Sequence, residues 1–164
     1  MAGTVLVAGI GNLFHGDDGF GPEVARRLVA ASVGLPEGVR VVDYGIRGVH
    51  LAYDLLDGVD ALVLVDAIPG DEPPGTVSVL AVGPDDVTRH AAGAVDAHDL
   101  HPAAVLATVL SMGGALPTTY VVGACPADVG EGIGLSAPVA AAVDDAVAAV
   151  HRLVDDHLGV RPCA

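Results

Sequence analysis

Three aspartates and one histidine stand where this chain could do chemistry. Asp17 and Asp18 lie in Gly16-Asp17-Asp18-Gly19, Asp66 directly follows the apolar run 61–65, and His98 sits in Asp96-Ala97-His98-Asp99-Leu100. Carboxylates combined with an imidazole suit a borderline divalent ion such as nickel or zinc. A carboxylate can also serve as the acid or base that activates water. Each residue has a structural reading as well. Either Asp17 or Asp18 caps a following helix or one of them faces a crevice as ligand or acid/base. Asp66 is either an N-cap or loop acceptor, or a site carboxylate. His98, with His101 one turn away, is either a structural histidine or the imidazole of an Asp18, Asp66 and His98 set.

Other chemistries find less support. Ser32, Ser78, Ser111 and Ser136 include no Gly-x-Ser-x-Gly elbow, and no HExxH zinc motif is present. Phe14 stands where a dinucleotide-binding fingerprint needs its third glycine. Asp17 and Asp18 would repel a phosphate at the same place. All seven basic residues are arginine, and the missing lysine excludes a P-loop ATPase and a lysine Schiff-base enzyme. Cys125 reads as a buried small thiol and Cys163 as a terminal one; the two make neither a disulfide framework nor a CxxC site.

The elements that must position these residues follow from the apolar pattern. Residues 4–8 form a short β-branched run closed by Gly9-Ile10-Gly11-Asn12, which predicts a buried strand. A helix begins between Asp18 and Pro22, with Val24, Leu28 and Val29 on its apolar face. Residues 39–42 form a second strand, followed by a loop over 45–48 and a short helix over 50–56. Residues 61–65, apolar at every position, predict a central parallel strand. A fourth strand covers 75–82, the polar stretch 85–94 reads as irregular, and 98–112 predicts a helix with Asp96 as N-cap. A strand over 120–123 and a helix over 138–158, with Ser136 as N-cap, complete the chain. Val139, Val143, Val147, Val150 and Val154 line one face of that last helix.

This alternation predicts an α/β fold: a twisted, mostly parallel sheet of about five strands with helices on both faces. Functional residues then belong beyond the carboxyl ends of the strands, at the point where strand order reverses. The length of 164 residues predicts a single domain over 1–164, and 52% apolar residues suffice for its core. The net charge of −14 argues against nucleic-acid binding. No basic residue precedes Arg26, so no signal peptide is expected, and a reducing cytoplasm fits two isolated cysteines. The uncharged stretch 102–127 is broken by Gly113-Gly114 and Pro117, which predicts helix, turn and strand rather than membrane insertion.

Gly9-Ile10-Gly11-Asn12 followed by Gly16-Asp17-Asp18-Gly19-Phe20-Gly21 resembles the opening signature of the hydrogenase maturation endopeptidases. Val65-Asp66-Ala67, His98 in its Asp96–Leu100 setting, and Gly134-Leu135-Ser136 are similar to later signatures in the same order. The resemblance covers nearly the whole chain. It implies a protease that removes the C-terminal extension of a nickel–iron hydrogenase large-subunit precursor after nickel insertion. It also implies that Asp18, Asp66 and His98 contact that metal, with Asp17 the neighbour of the ligand. Nickel is then supplied by the precursor rather than held by the chain, and Asp18 or Asp66 is the catalytic carboxylate. A non-proteolytic nickel-binding or hydrogenase-docking protein would use the same ligands. The chain departs from the family pattern at Ile46-Arg47, where Thr and a small residue are frequent, and at Cys125, where an acidic residue is frequent. The oligomeric state has no signature in the sequence.

Overall fold

The computed structural model describes residues 3–31, 34–91 and 102–158. Among these residues five strands are seen: β1 (Val5–Ile10), β2 (Val39–Gly45), β3 (Ala61–Ala67), β4 (Val77–Val82) and β5 (Thr118–Ala124). Five α-helices accompany them: α1 (Phe20–Ala30), α2 (Gly48–Leu56), α3 (Pro84–Ala91), α4 (Pro102–Ser111) and α5 (Ala137–Leu158). A 3-10 turn at Gly16–Gly19 leads into α1.

The sheet order is β2-β1-β3-β5-β4, with β4 antiparallel and every other pairing parallel. The predicted mostly parallel sheet is therefore present. Side-chain alternation divides its two faces. Val5, Val7, Val63, Val65 and Val122 pack with α1 and α5 in one core layer. Leu6, Ala8, Leu62, Leu64 and Val121 pack with α2 and α4 in the other. β3 is buried at all seven positions, as a strand covered on both faces must be.

Several sequence expectations need correction. β1 and β3 each run two residues further than the apolar runs, so Asp66 lies inside the end of β3 rather than beyond it. Stretch 85–94 is not irregular where it is described: α3 begins at Pro84. Proline suits a first helical position, and the Asp86 carboxylate accepts a hydrogen bond from Gly83 N at 2.8 Å, half of a capping box. On α1, Val29 is exposed, and Ala25 joins Val24 and Leu28 in the buried stripe. The part of the predicted helix before Pro102, with its Asp96 cap, lies outside the described residues.

Candidate functional site

The loop after β1 is built for close approach. A Cβ at Gly9 would collide with the carbonyl of Gly21, and one at Gly21 would collide with the carbonyls of Ile10 and Val65. Only hydrogen at these positions lets the start of α1 press onto the ends of β1 and β3. Phe14 N donates to Asn12 Oδ1 at 2.9 Å and His15 N to Asn12 O at 3.1 Å, which turns the chain toward Asp17 and Asp18.

The two adjacent aspartates have opposite fates. Asp18 is half-buried, and its Oδ2 accepts the Asn12 N–H at 2.8 Å. Asp17 is fully buried. Its Oδ1 accepts Ser136 N at 2.7 Å, and its Oδ2 accepts Ala127 N at 2.8 Å, Asp128 N at 3.0 Å and the Ser136 hydroxyl at 2.8 Å. Burial pushes the Asp17 carboxyl up, but the donors from Ser136, Asp128 and Ala127 outweigh it and hold the group below its usual range. Neither aspartate caps α1, whose N-cap is Gly19 without a side-chain bond. The capping expectation therefore fails at both positions. Ser136 does sit where α5 begins, its carbonyl accepting Ala140 N at 2.8 Å, but its hydroxyl serves Asp17.

Backbone bonds extend this clamp. Asp17 N donates to Asp128 O at 2.9 Å, Gly16 N to Gly132 O at 2.8 Å, and Gly132 N to Phe14 O at 2.9 Å. Gly16 has φ +57°, and a Cβ there would lie 2.7 Å from Asp128 O. The loop after β1 is thus joined to the loop after β5. Because β1 and β5 are the two neighbours of β3, the joined loops frame the end of β3.

Asp66 occupies that end, paired in register with Gly123 and only 6% exposed. Alternation places it with Leu62 and Leu64 on the α2 and α4 side of the sheet. Strand order reverses between β1 and β3, since β2 lies outside one and β5 outside the other. The Asp18 turn and Asp66 therefore share the switch point at which open α/β sheets carry their sites. Six residues separate the end of α4 from the start of β5 at the amino edge of the sheet, so α4 begins toward the carboxyl edge. His98 lies outside the described residues, four positions before α4. Among the described residues no group of three or more His, Cys, Asp or Glu side chains is arranged to hold a metal ion.

Cys125 is buried, as expected, with its thiol toward Glu72 O at 3.1 Å and Gly70 O at 3.5 Å. Cys163 and His101 lie outside the described residues. A groove of about 330 Å³ opens beside the Asp18 turn between α1 and α5, lined by Leu13, Gly19, Glu23, Ile133 and Leu135 among others. The Asp17 clamp and this groove escaped sequence reasoning. Their parts are separated by more than a hundred residues, and no local pattern joins them.

Comparison with known proteins adds the following. A family model described as hydrogenase maturation protease matches residues 22–153. The hydrogenase expression/formation protein HupD of Rhodobacter capsulatus is 33% identical over 150 residues, covering 90% of this chain and 70% of that protein. The hydrogenase-maturating endopeptidase HybD of Escherichia coli superposes with a TM-score of 0.77 at 27% identity, covering 93% of each chain. The hydrogenase 2 maturation peptidase of a Thaumarchaeota archaeon does so with a TM-score of 0.66 at 32% identity, covering 96% of this chain and 99% of that one.

Proposed function

The chain belongs to the hydrogenase maturation protease family, and from that premise we infer that it removes the C-terminal extension of a nickel–iron hydrogenase large-subunit precursor after nickel insertion. As a member it is an endopeptidase, a hydrolase that processes a hydrogenase large subunit during maturation. Its dependence on nickel and the roles of individual residues are the proposal.

Nickel belongs to the substrate in this reading. Asp18, Asp66 and His98 complete the coordination of an ion already held by the precursor, so a precursor without nickel lacks the anchor that brings its peptide bond into place. Asp18 or Asp66 then takes the proton of the attacking water, while the scissile carbonyl is polarised by the substrate's own metal. Proximity supplies much of the rate, because a docked bond reacts as an intramolecular one. The observation that supports this reading is topological: Asp66 ends a buried strand and Asp18 lies on the clamped turn after its neighbour β1, both at the carboxyl edge beside the switch point.

The family model and relatives such as the Escherichia coli hydrogenase 2 maturation protease and the endopeptidase HybD are described as proteases, which favours cleavage over a purely docking or metal-binding role. The chain is expected to act in the cytoplasm, where such a precursor would be met. Among the described residues no helix is long and apolar enough to cross a membrane. The test is incubation of nickel-loaded and nickel-free precursor with the purified chain, followed by mass analysis of the precursor's C-terminus. Release of a peptide from the nickel-loaded form alone is expected. Equal release from both forms would remove nickel from the mechanism, and release from neither would remove the proteolysis.

A further inference from the structure

The carboxyl edge of the sheet carries more than the candidate site. Four loops meet there: 11–19 after β1, 46–47 after β2, 68–76 after β3 and 125–136 after β5. They and the first turn of α2 display Phe14, Ile46, Val49 and Ile133, each at least 60% exposed and Ile133 as much as 81%. Four large apolar side chains raised around one edge offer contact area to a partner.

The charge around them is predominantly negative. Asp71, Glu72, Asp128 and Glu131 are exposed in these loops, beside Asp18. Arg47 is the single arginine among them. Its guanidinium is turned back onto its own turn, donating to Asp43 O at 2.8 Å and Tyr44 O at 3.2 Å. The edge is thus acidic within a chain of net charge −14.

We propose that this rim is the docking surface for a basic patch of the hydrogenase precursor, with Lys and Arg side chains around an apolar centre. The inference rests on the endopeptidase reading and specifies how the substrate is recognised. The apolar residues supply contact area, and the carboxylates select and steer a positive partner toward Asp18 and Asp66. A second copy of the chain would bring two acidic faces together, which like-charge repulsion opposes. A basic partner meets no such barrier. A basic approach surface also keeps the chain's acidic field from repelling its substrate, a repulsion that an acidic partner would suffer at every orientation.

The experiment uses the full chain and purified nickel-loaded precursor, with association followed by biolayer interferometry at about 50 mM and about 300 mM salt. The wild-type association rate should fall about tenfold across that range. The double reversal Glu72→Lys/Glu131→Lys should lower the low-salt rate about three- to tenfold and flatten the salt dependence. Phe14→Ser/Ile133→Ser should raise the dissociation rate about tenfold. All four positions are exposed, so thermal melts of both variants should match wild type. Cleavage by wild type with salt-independent association, and with both variants binding normally, would overturn the docking inference alone. Absence of cleavage by wild type would overturn the endopeptidase reading and this inference with it. Concentration-dependent self-association through the rim, abolished by Phe14→Ser/Ile133→Ser, would also overturn it.

Discussion

Replacing Asp17 by Asn isolates the clamp beneath the site. The side chain keeps its size, but one acceptor oxygen becomes an NH2 group. With the amide oxygen placed at the Oδ2 position, Ala127 N, Asp128 N and the Ser136 hydroxyl retain a partner. Ser136 N, now 2.7 Å from a donor, loses its own. A hydrogen bond to a charged group contributes about 1.5–3 kcal/mol, and a neutral one about 1 kcal/mol. Losing one and weakening three, offset by the easier burial of a neutral amide, comes to a net loss of about 2–4 kcal/mol. For a domain of this size that is a fall in Tm of roughly 5–15 °C. Because Asp17 titrates below its ordinary 3.8 in the folded chain, its stabilisation is complete above that value and is lost as pH falls through the lower folded-state value. Wild type should accordingly destabilise more steeply than Asp17→Asn below about pH 4. Thermal melts followed by circular dichroism, from neutral pH downward, measure both effects. A variant melting within a degree or two of wild type at neutral pH would refute the hydrogen-bond accounting. In sequence Asp17 reads only as the neighbour of the proposed ligand Asp18; the buried clamp makes Asp17→Asn a test of stability.

Three further outcomes are expected. Asp66→Asn should abolish processing of nickel-loaded precursor while its circular dichroism and Tm stay close to wild type; full processing by the folded variant would remove Asp66 from the mechanism. Gly21→Ala forces a methyl group against the carbonyls of Ile10 and Val65 and should destabilise by about 3 kcal/mol or more. An unchanged urea midpoint would show that the backbone there yields easily. The purified chain should hold well under one metal ion per molecule by elemental analysis, since carboxylates and an imidazole without thiolates make a weak cage, and it should leave casein intact, since cleavage depends on docking of the precursor's metal centre. One tightly held ion together with casein digestion would point to a self-contained metallohydrolase.

Much of the frame was legible because it rests on short-range pattern. The β-branched run before Gly9 and the unbroken apolar run before Asp66 mark the strands at the switch point. The valines from Val139 to Val154 mark the buried face of α5, where Val139, Val143, Val150 and Val154 are all almost inaccessible. α3 was obscured because its composition is polar, although Pro84 and Asp86 carried a helix-start signal. Strand order and the antiparallel setting of β4 depend on packing between distant segments. The same holds for Asp17, which next to Asp18 reads as an equivalent carboxylate until its partners at 127, 128 and 136 are seen. Asp18 and Asp66 were legible only as positions after two strands; what sequence could not supply was the neighbourhood of β1 and β3.

The clamp also orders events during synthesis. Asp18 and Asp66 both belong to the first 66 residues, yet the turn bearing Asp18 is fastened by groups 110 to 119 positions beyond Asp17. Contacts of such separation form late, after the chain between them has collapsed. A ribosome-bound chain that has exposed β1, α1, β2 and β3 therefore carries both carboxylates without the scaffold that fixes one relative to the other. The site becomes geometrically defined only when the segment through Ser136 has emerged and β5 has taken its place beside β3. Translation thus acts as a delay on competence: a nascent or truncated chain meeting a precursor has both candidate carboxylates but not the scaffold that sets the turn of one of them.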